Sequence, residues 1–141
     1  MNKHLIYLLL IMFSMVNANP YFSNCNNYGI NTDILGVANW GPDPPSAGDT
    51  LEIQYSVKGL PRNTTDHVYV VAAVIKNDRI RDPVTSNKVK VDQNVKDVSV
   101  SLNVRWPSPA DKYNIYSLIV YLVDYKWGTY SCSCFYDRWP H

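Results

Sequence analysis

The stretch Thr50-Leu51-Glu52-Ile53-Gln54-Tyr55-Ser56-Val57 puts Leu51, Ile53, Tyr55 and Val57 on one side of an extended chain and Glu52, Gln54 and Ser56 on the other. A side-chain period of two is that of a β-strand with one buried face. The pattern returns at 97–104, DVSVSLNV, where Val98, Val100, Leu102 and Val104 alternate with serines and Asn103. Two other stretches, HVYVVAAVI at 67–75 and YNIYSLIVYLV at 113–123, are apolar on both faces and rich in β-branched residues. They read as central strands. Asp124 to Gly128 supplies a short turn, and 129–136 returns as the hairpin partner. Weaker strands are expected at 34–40, 80–84 and 89–91, the last with Lys88 and Lys90 alternating with Val89 and Val91 in the manner of a protected edge.

No window carries an apolar period of 3.6, and prolines at 42, 44, 45, 61, 83, 107 and 109 fall between the strand candidates. Seven or eight short strands at this spacing predict an all-β fold, an antiparallel β-sandwich of two sheets. A single domain from 19 to 141 is expected.

The amino-terminal residues MNKHLIYLLLIMFSMVNA set Lys3 ahead of an apolar run from Leu5 to Val16 and end in small residues. That is the form of a secretory signal peptide at 1–18, cleaved after Ala18. The run is too short to span a bilayer, which takes roughly 20 residues. Removal of Lys3 leaves twelve basic against twelve acidic residues, so nothing points to nucleic acid. The cations between Lys76 and Lys96 are interleaved with Asp78, Asp82 and Asp92, as on a solvated face. Export passes the chain through an oxidising compartment where disulfides persist. Asn63-Thr64-Thr65 is a glycosylation sequon in a predicted loop, with Asn63 as the acceptor.

Catalysis finds no support. After the signal the histidines are His67 and His141, in no metal-ligand spacing, and Cys-Ser-Cys is not a structural zinc pattern. Asp43, Asp49 and Asp66 lie in turn-forming loops. No cofactor, no metal site and no enzymatic activity are expected. The aromatic content says more, with ten tyrosines and four tryptophans left after the signal against Phe22 and Phe135. Tyr55, Tyr113, Tyr121 and Tyr130 read either as ordinary strand residues or as cavity lining. The small residues of one central strand, Val70, Ala72 and Val74 on one face and Val71, Ala73 and Ile75 on the other, either let two sheets close together or leave an apolar slot.

Residues two apart on a strand have Cβ atoms roughly 6 to 7 Å apart, whereas a disulfide needs about 3.8 Å. Cys132 and Cys134 therefore do not bond each other.

Two segments, GPDPPSAGDTLEIQYSV at 41–57 and WPSPADKYNIYSLIVYLVDYKWGTYSCSCF at 106–135, together resemble the ML (MD-2-related lipid-recognition) family, which includes sterol-transfer and fungal phosphatidylglycerol/phosphatidylinositol transfer proteins. The first has a Pro-x-Pro-Pro loop and an alternating strand. The second has a proline loop, a long apolar strand, a turn with Asp and Gly, and a last strand carrying cysteine. The resemblance implies an immunoglobulin-like sandwich whose sheets admit an acyl chain or sterol. Implied lipid-binding residues are Tyr55, Val57, Val70, Ala72, Val74, Val100, Leu102, Ile119, Tyr121 and Val123. The implied partners are a sterol or phospholipid and, transiently, a membrane. In that family the outermost disulfide ties the amino-terminal segment to the last strand, which here pairs Cys25 with one of the two late cysteines. Cys134 is favoured because it lies deeper in the strand, leaving Cys132 as a spare thiol, inert in a monomer or bridging a disulfide-linked dimer. The competing function is a secreted module that binds carbohydrate or protein through Trp106, Trp127 and Trp139.

Overall fold

The two alternating stretches become neighbouring strands, and the apolar face they share forms one wall of the core. The computed structural model describes residues 22–137 apart from 33, 35 and 109–112. It contains β1 (Phe22–Asn24), a 3-10 turn (Asn26–Tyr28), β2 (Val37–Gly41), β3 (Thr50–Val57), β4 (Val68–Lys76), β5 (Thr85–Lys90), β6 (Val98–Arg105), β7 (Tyr116–Asp124) and β8 (Gly128–Asp137). The expected signal segment, Trp139 and His141 lie outside the described residues.

The strands form a three-stranded sheet, β2-β3-β6, and a five-stranded sheet, β1-β8-β7-β4-β5, with antiparallel pairing throughout. Counted from β2, the first, second and fifth strands face the third, fourth, sixth and seventh, an immunoglobulin-like sandwich in which the fourth strand lies beside the third rather than beside the fifth. The expected all-β sandwich is the observed fold, with β4 and β7 central and lysine-bearing β5 at an edge.

Three local expectations are corrected. Residues 80–84 form no strand: Asn77 and Asp78 take φ of 50° and 61°, Pro83 has no N–H to give a ladder, and pairing to β4 begins only at Thr85. Residues 113–115 stay outside β7, because Asn77 holds them in a loop: its backbone N–H donates to Ile115 O at 2.8 Å, and its side-chain oxygen accepts from Ile115 N–H at 3.0 Å. The short strand β1 was not expected; three residues are too few to show a period.

The two-sided apolarity of β4 and β7 follows from the five-stranded sheet being covered on both faces. Its inner face packs Val70, Ala72, Val74, Leu118, Val120, Leu122 and Phe135 against Leu51, Ile53, Tyr55 and Val57 of β3. Its outer face carries a second, smaller core of Cys25, Ile75, Ile119, Cys132 and Cys134, covered by Tyr28, Ile30 and Ile80.

The sheets meet differently at their two edges. On the β2/β8 side, the buried Ser131 hydroxyl accepts from the Gly36 N–H at 2.7 Å and from the Tyr55 hydroxyl at 2.8 Å, while Ser133 donates to Gly36 O at 2.8 Å. Trp40 meets Phe135 edge to face at 5.8 Å. The Tyr55 ring lies on the bare Cα of Gly36, where a Cβ would fall 2.2 Å from the phenolic oxygen. On the β5/β6 side no backbone ladder joins the sheets among the described residues; the Thr85 hydroxyl donates to Arg105 O and the Asn87 amide to Asn103 O at 2.8 Å.

Gly36→Ala is expected to lower the urea-unfolding free energy by about 1 to 3 kcal/mol through overpacking against Tyr55. Gly41→Ala, where a Cβ meets nothing within 4 Å, should change it little; equal effects of the two would contradict the contact.

Candidate functional site

Antiparallel register decides which apolar residues face the interior. Val70 pairs with Leu122, Ala72 with Val120 and Val74 with Leu118, and paired residues share a face. Of the residues implied by the family resemblance, Tyr55, Val57, Val70, Ala72, Val74, Val100 and Leu102 therefore line or pack on the interior. Ile119 and Tyr121 belong instead to the outer core, and Val123 pairs with the outward Tyr69. Leu118, Val120 and Leu122 take their places. A strand apolar on both faces carries no sequence mark of which set turns inward.

The inner side chains are closely packed. Val70, Ala72, Val74, Val120 and Leu122 are all 0% accessible. Burial pushes the Tyr55 hydroxyl up to about 12, with its bond to Ser131 opposing, so it remains a neutral donor at physiological pH. Apolar residues packed on the interior stay partly uncovered at Val89 and Val100 by the β5/β6 seam, at Val95 in the following loop, at Ile34 beside β8 and at Tyr130 on it. The seam alignment set by Thr85 with Arg105 and Asn87 with Asn103, continued two residues further, brings Val89 opposite Ser101, beside Val100. There the side-chain stitching gives way to apolar contact.

The disulfide joins Cys25 to Cys132, with Cα atoms 5.6 Å apart, and Cys134 is the free, buried cysteine. This corrects the expected Cys25–Cys134 pair. The β1–β8 register runs Phe22 to Phe135, Ser23 to Cys134 and Asn24 to Ser133, so the next residue, Cys25, falls opposite Cys132. All three sulphurs lie within 4.8 Å of one another, but two are consumed by the bridge. Burial pushes the Cys134 thiol up to about 12, which leaves it protonated and inert at neutral pH. A thiol with no accessible surface does not reach a second chain while the fold is intact.

The β7–β8 turn is built around a buried carboxylate. Asp124 accepts from Lys126 N–H at 2.8 Å, Trp127 N–H at 3.3 Å and the Thr65 hydroxyl at 2.9 Å. Burial pushes its pKa up, but these bonds and nearby His67 outweigh that and hold it below the ordinary 3.8. The turn thrusts Tyr125 and Trp127 into solvent, 61% and 60% exposed. Arg62 and Lys126 stand over the Trp127 ring at 5.6 and 5.3 Å, and Lys88 stands over Tyr69 and Tyr125 at 5.1 and 5.4 Å. Trp106, expected as an exposed platform, is 4% exposed and packs on Tyr116 at 5.9 Å between ring centroids. Asn63 is exposed. His67 contacts the adjacent Asp66 in solvent. A cleft of about 410 Å3 opens on the outer face beside Ala73, Ile119, Tyr121, Lys88 and Tyr125.

Neither protein-family models nor curated proteins yield a match to this chain. Among solved structures it is similar to chicken MD-1 complexed with lipid IVa, at 13% identity and a TM-score of 0.46 over 82% of this chain and 86% of that one.

Cys25→Ser should cost up to about 4 to 5 kcal/mol, the chain-entropy value for a loop of over a hundred residues, whereas Cys134→Ala should keep the bridge and leave no titratable thiol after unfolding. A free thiol in unfolded, unreduced Cys134→Ala protein would contradict the pairing. For Asp124, a depressed folded pKa contributes stability that is fully present above the unfolded value near 3.8 and is lost as pH falls through the lower folded value. Stability should therefore drop below about pH 4, and Asp124→Asn should flatten that loss while lowering stability at pH 7; an unchanged acid slope would contradict it.

Proposed function

We propose that this protein is a secreted, non-enzymatic lipid-binding or lipid-transfer protein that takes the acyl chain of a phospholipid, or a sterol, between its two sheets. The observation that carries this reading is the asymmetry of the sandwich edges. The β2/β8 edge is fixed by buried backbone and hydroxyl bonds around Gly36, Tyr55 and Ser131. The β5/β6 edge is closed by side-chain bonds from Thr85 and Asn87 and by the partly covered Val89 and Val100.

Magnitudes favour opening there. Three side-chain hydrogen bonds, from Thr85 to Arg105 O and from the Asn87 amide to Asn103 O and Oδ1, oppose parting of the seam at a net worth of about 0.5 to 1.5 kcal/mol each, along with the apolar contact across it. Each methylene removed from water contributes about 0.8 kcal/mol. A long acyl chain therefore offsets the hydrogen-bond part of the opening cost. Binding of this kind needs no proton transfer and no covalent step. The interior would be lined by Tyr55, Val70, Ala72, Val74, Val100 and Leu102, together with Leu118, Val120 and Leu122. The segment 1–18 would direct export, the domain from 19 would act as a monomer with Cys25–Cys132 closed, and Asn63 would carry a glycan.

Protein secreted from a eukaryotic host should release close to one lipid per chain on solvent extraction, identified by mass spectrometry. Ala72→Phe, which fills the interior, should reduce the bound lipid, while Tyr121→Ala on the outer face should not, provided both variants show a cooperative melt. Absence of extractable lipid together with no uptake of fluorescent sterol or phospholipid would overturn the proposal.

A further inference from the structure

We propose that the end of the sandwich formed by the β7–β8 turn and the loops at 58–67 and 91–97 docks on a membrane surface bearing anionic phospholipids. This end holds two aromatic side chains that are more than half exposed, Tyr125 and Trp127. Each already carries a cation on its ring: Arg62 and Lys126 on Trp127, and Lys88 on Tyr125. Lys58, Lys90 and Lys96 are exposed at the same end. Six cations at this end, Lys58, Arg62, Lys88, Lys90, Lys96 and Lys126, stand against four carboxylates. Asp97 accepts the Gly59 N–H at 2.9 Å, Asp124 is buried under its three donors, and Asp66 and Asp92 remain in solvent.

Chemistry distinguishes a lipid surface from a sugar as the occupant. A saccharide stacks on an open aromatic face, and here the faces are shared with guanidinium and ammonium groups. At a bilayer interface the same pairs are well placed: the rings settle at headgroup level and the cations meet phosphate and carboxylate groups. The position agrees with the route of lipid entry, because the apolar half of the β5/β6 seam, at Val89 and Val100, lies towards this end of the strands. The docking explains how a lipid would reach the interior and in that sense rests on the lipid-binding reading, but the surface itself does not depend on it.

The test uses the full secreted protein and large vesicles of phosphatidylcholine, alone or with about 30 mol% phosphatidylserine, in co-sedimentation with tryptophan emission recorded. Binding is expected to the phosphatidylserine vesicles, to weaken as salt rises from roughly 0.1 to 0.5 M, and to fall at least about tenfold in the Arg62→Glu, Lys126→Glu double variant. A blue shift on binding should vanish in Trp127→Ala. Binding to neither vesicle, equal binding to both, or binding unmoved by the charge reversals would overturn the proposal, the first leaving the tip to a protein partner. Lipid delivered from ethanol without vesicles separates the two readings: loading without docking sinks only the docking, and docking without loading sinks only the lipid interior.

Discussion

The contact of the Tyr55 ring with the bare Cα of Gly36, both bonded to the Ser131 hydroxyl, fixes how the two sheets meet. It draws together the start of β2, the middle of β3 and the last strand, three segments far apart in sequence, and it satisfies the polar atoms of all three inside an apolar core. A buried hydroxyl left without a partner costs about 1 to 3 kcal/mol, so this arrangement tolerates little sliding. One edge of the sandwich is thereby tied by buried hydrogen bonds.

The last strand serves two cores at once. Ser131, Ser133 and Phe135 turn inward, while Cys132 and Cys134 turn outward onto a separate apolar cluster closed by the bridge to Cys25. The Ser-Cys-Ser-Cys alternation is thus a strand pattern with hydroxyls on one face and sulphurs on the other. The amino-terminal segment is stapled to the outer face and leaves the interior free for packing or for a guest. The buried thiol of Cys134 acts as a small apolar side chain in this cluster.

Much of the architecture was legible in the sequence because it rests on local periodicity. Leu51 to Val57 and Val98 to Val104 each show one buried face, and Lys88 and Lys90 mark an edge. What remained hidden depends on pairing between distant strands. The inward set of β7 follows from its register with β4, and nothing within Tyr116 to Asp124 reveals that Leu118, Val120 and Leu122, rather than Ile119, Tyr121 and Val123, turn inward. The disulfide partner likewise follows from the register of a three-residue strand with no pattern of its own. Trp106 could not be told from an exposed loop residue until its contact with Tyr116 was seen.

On the proposed lipid-binding reading, the guest lies between the sheets, against the inward faces of β3, β4 and β6. The most direct measurement is photo-crosslinking with a fatty acid or sterol carrying a diazirine in its apolar part, followed by residue-level mass spectrometry. Label on inward residues such as Tyr55, Val70, Ala72 and Leu102 is the predicted result. Label confined to Ile80, Ile119 and Tyr121 on the outer face would contradict it.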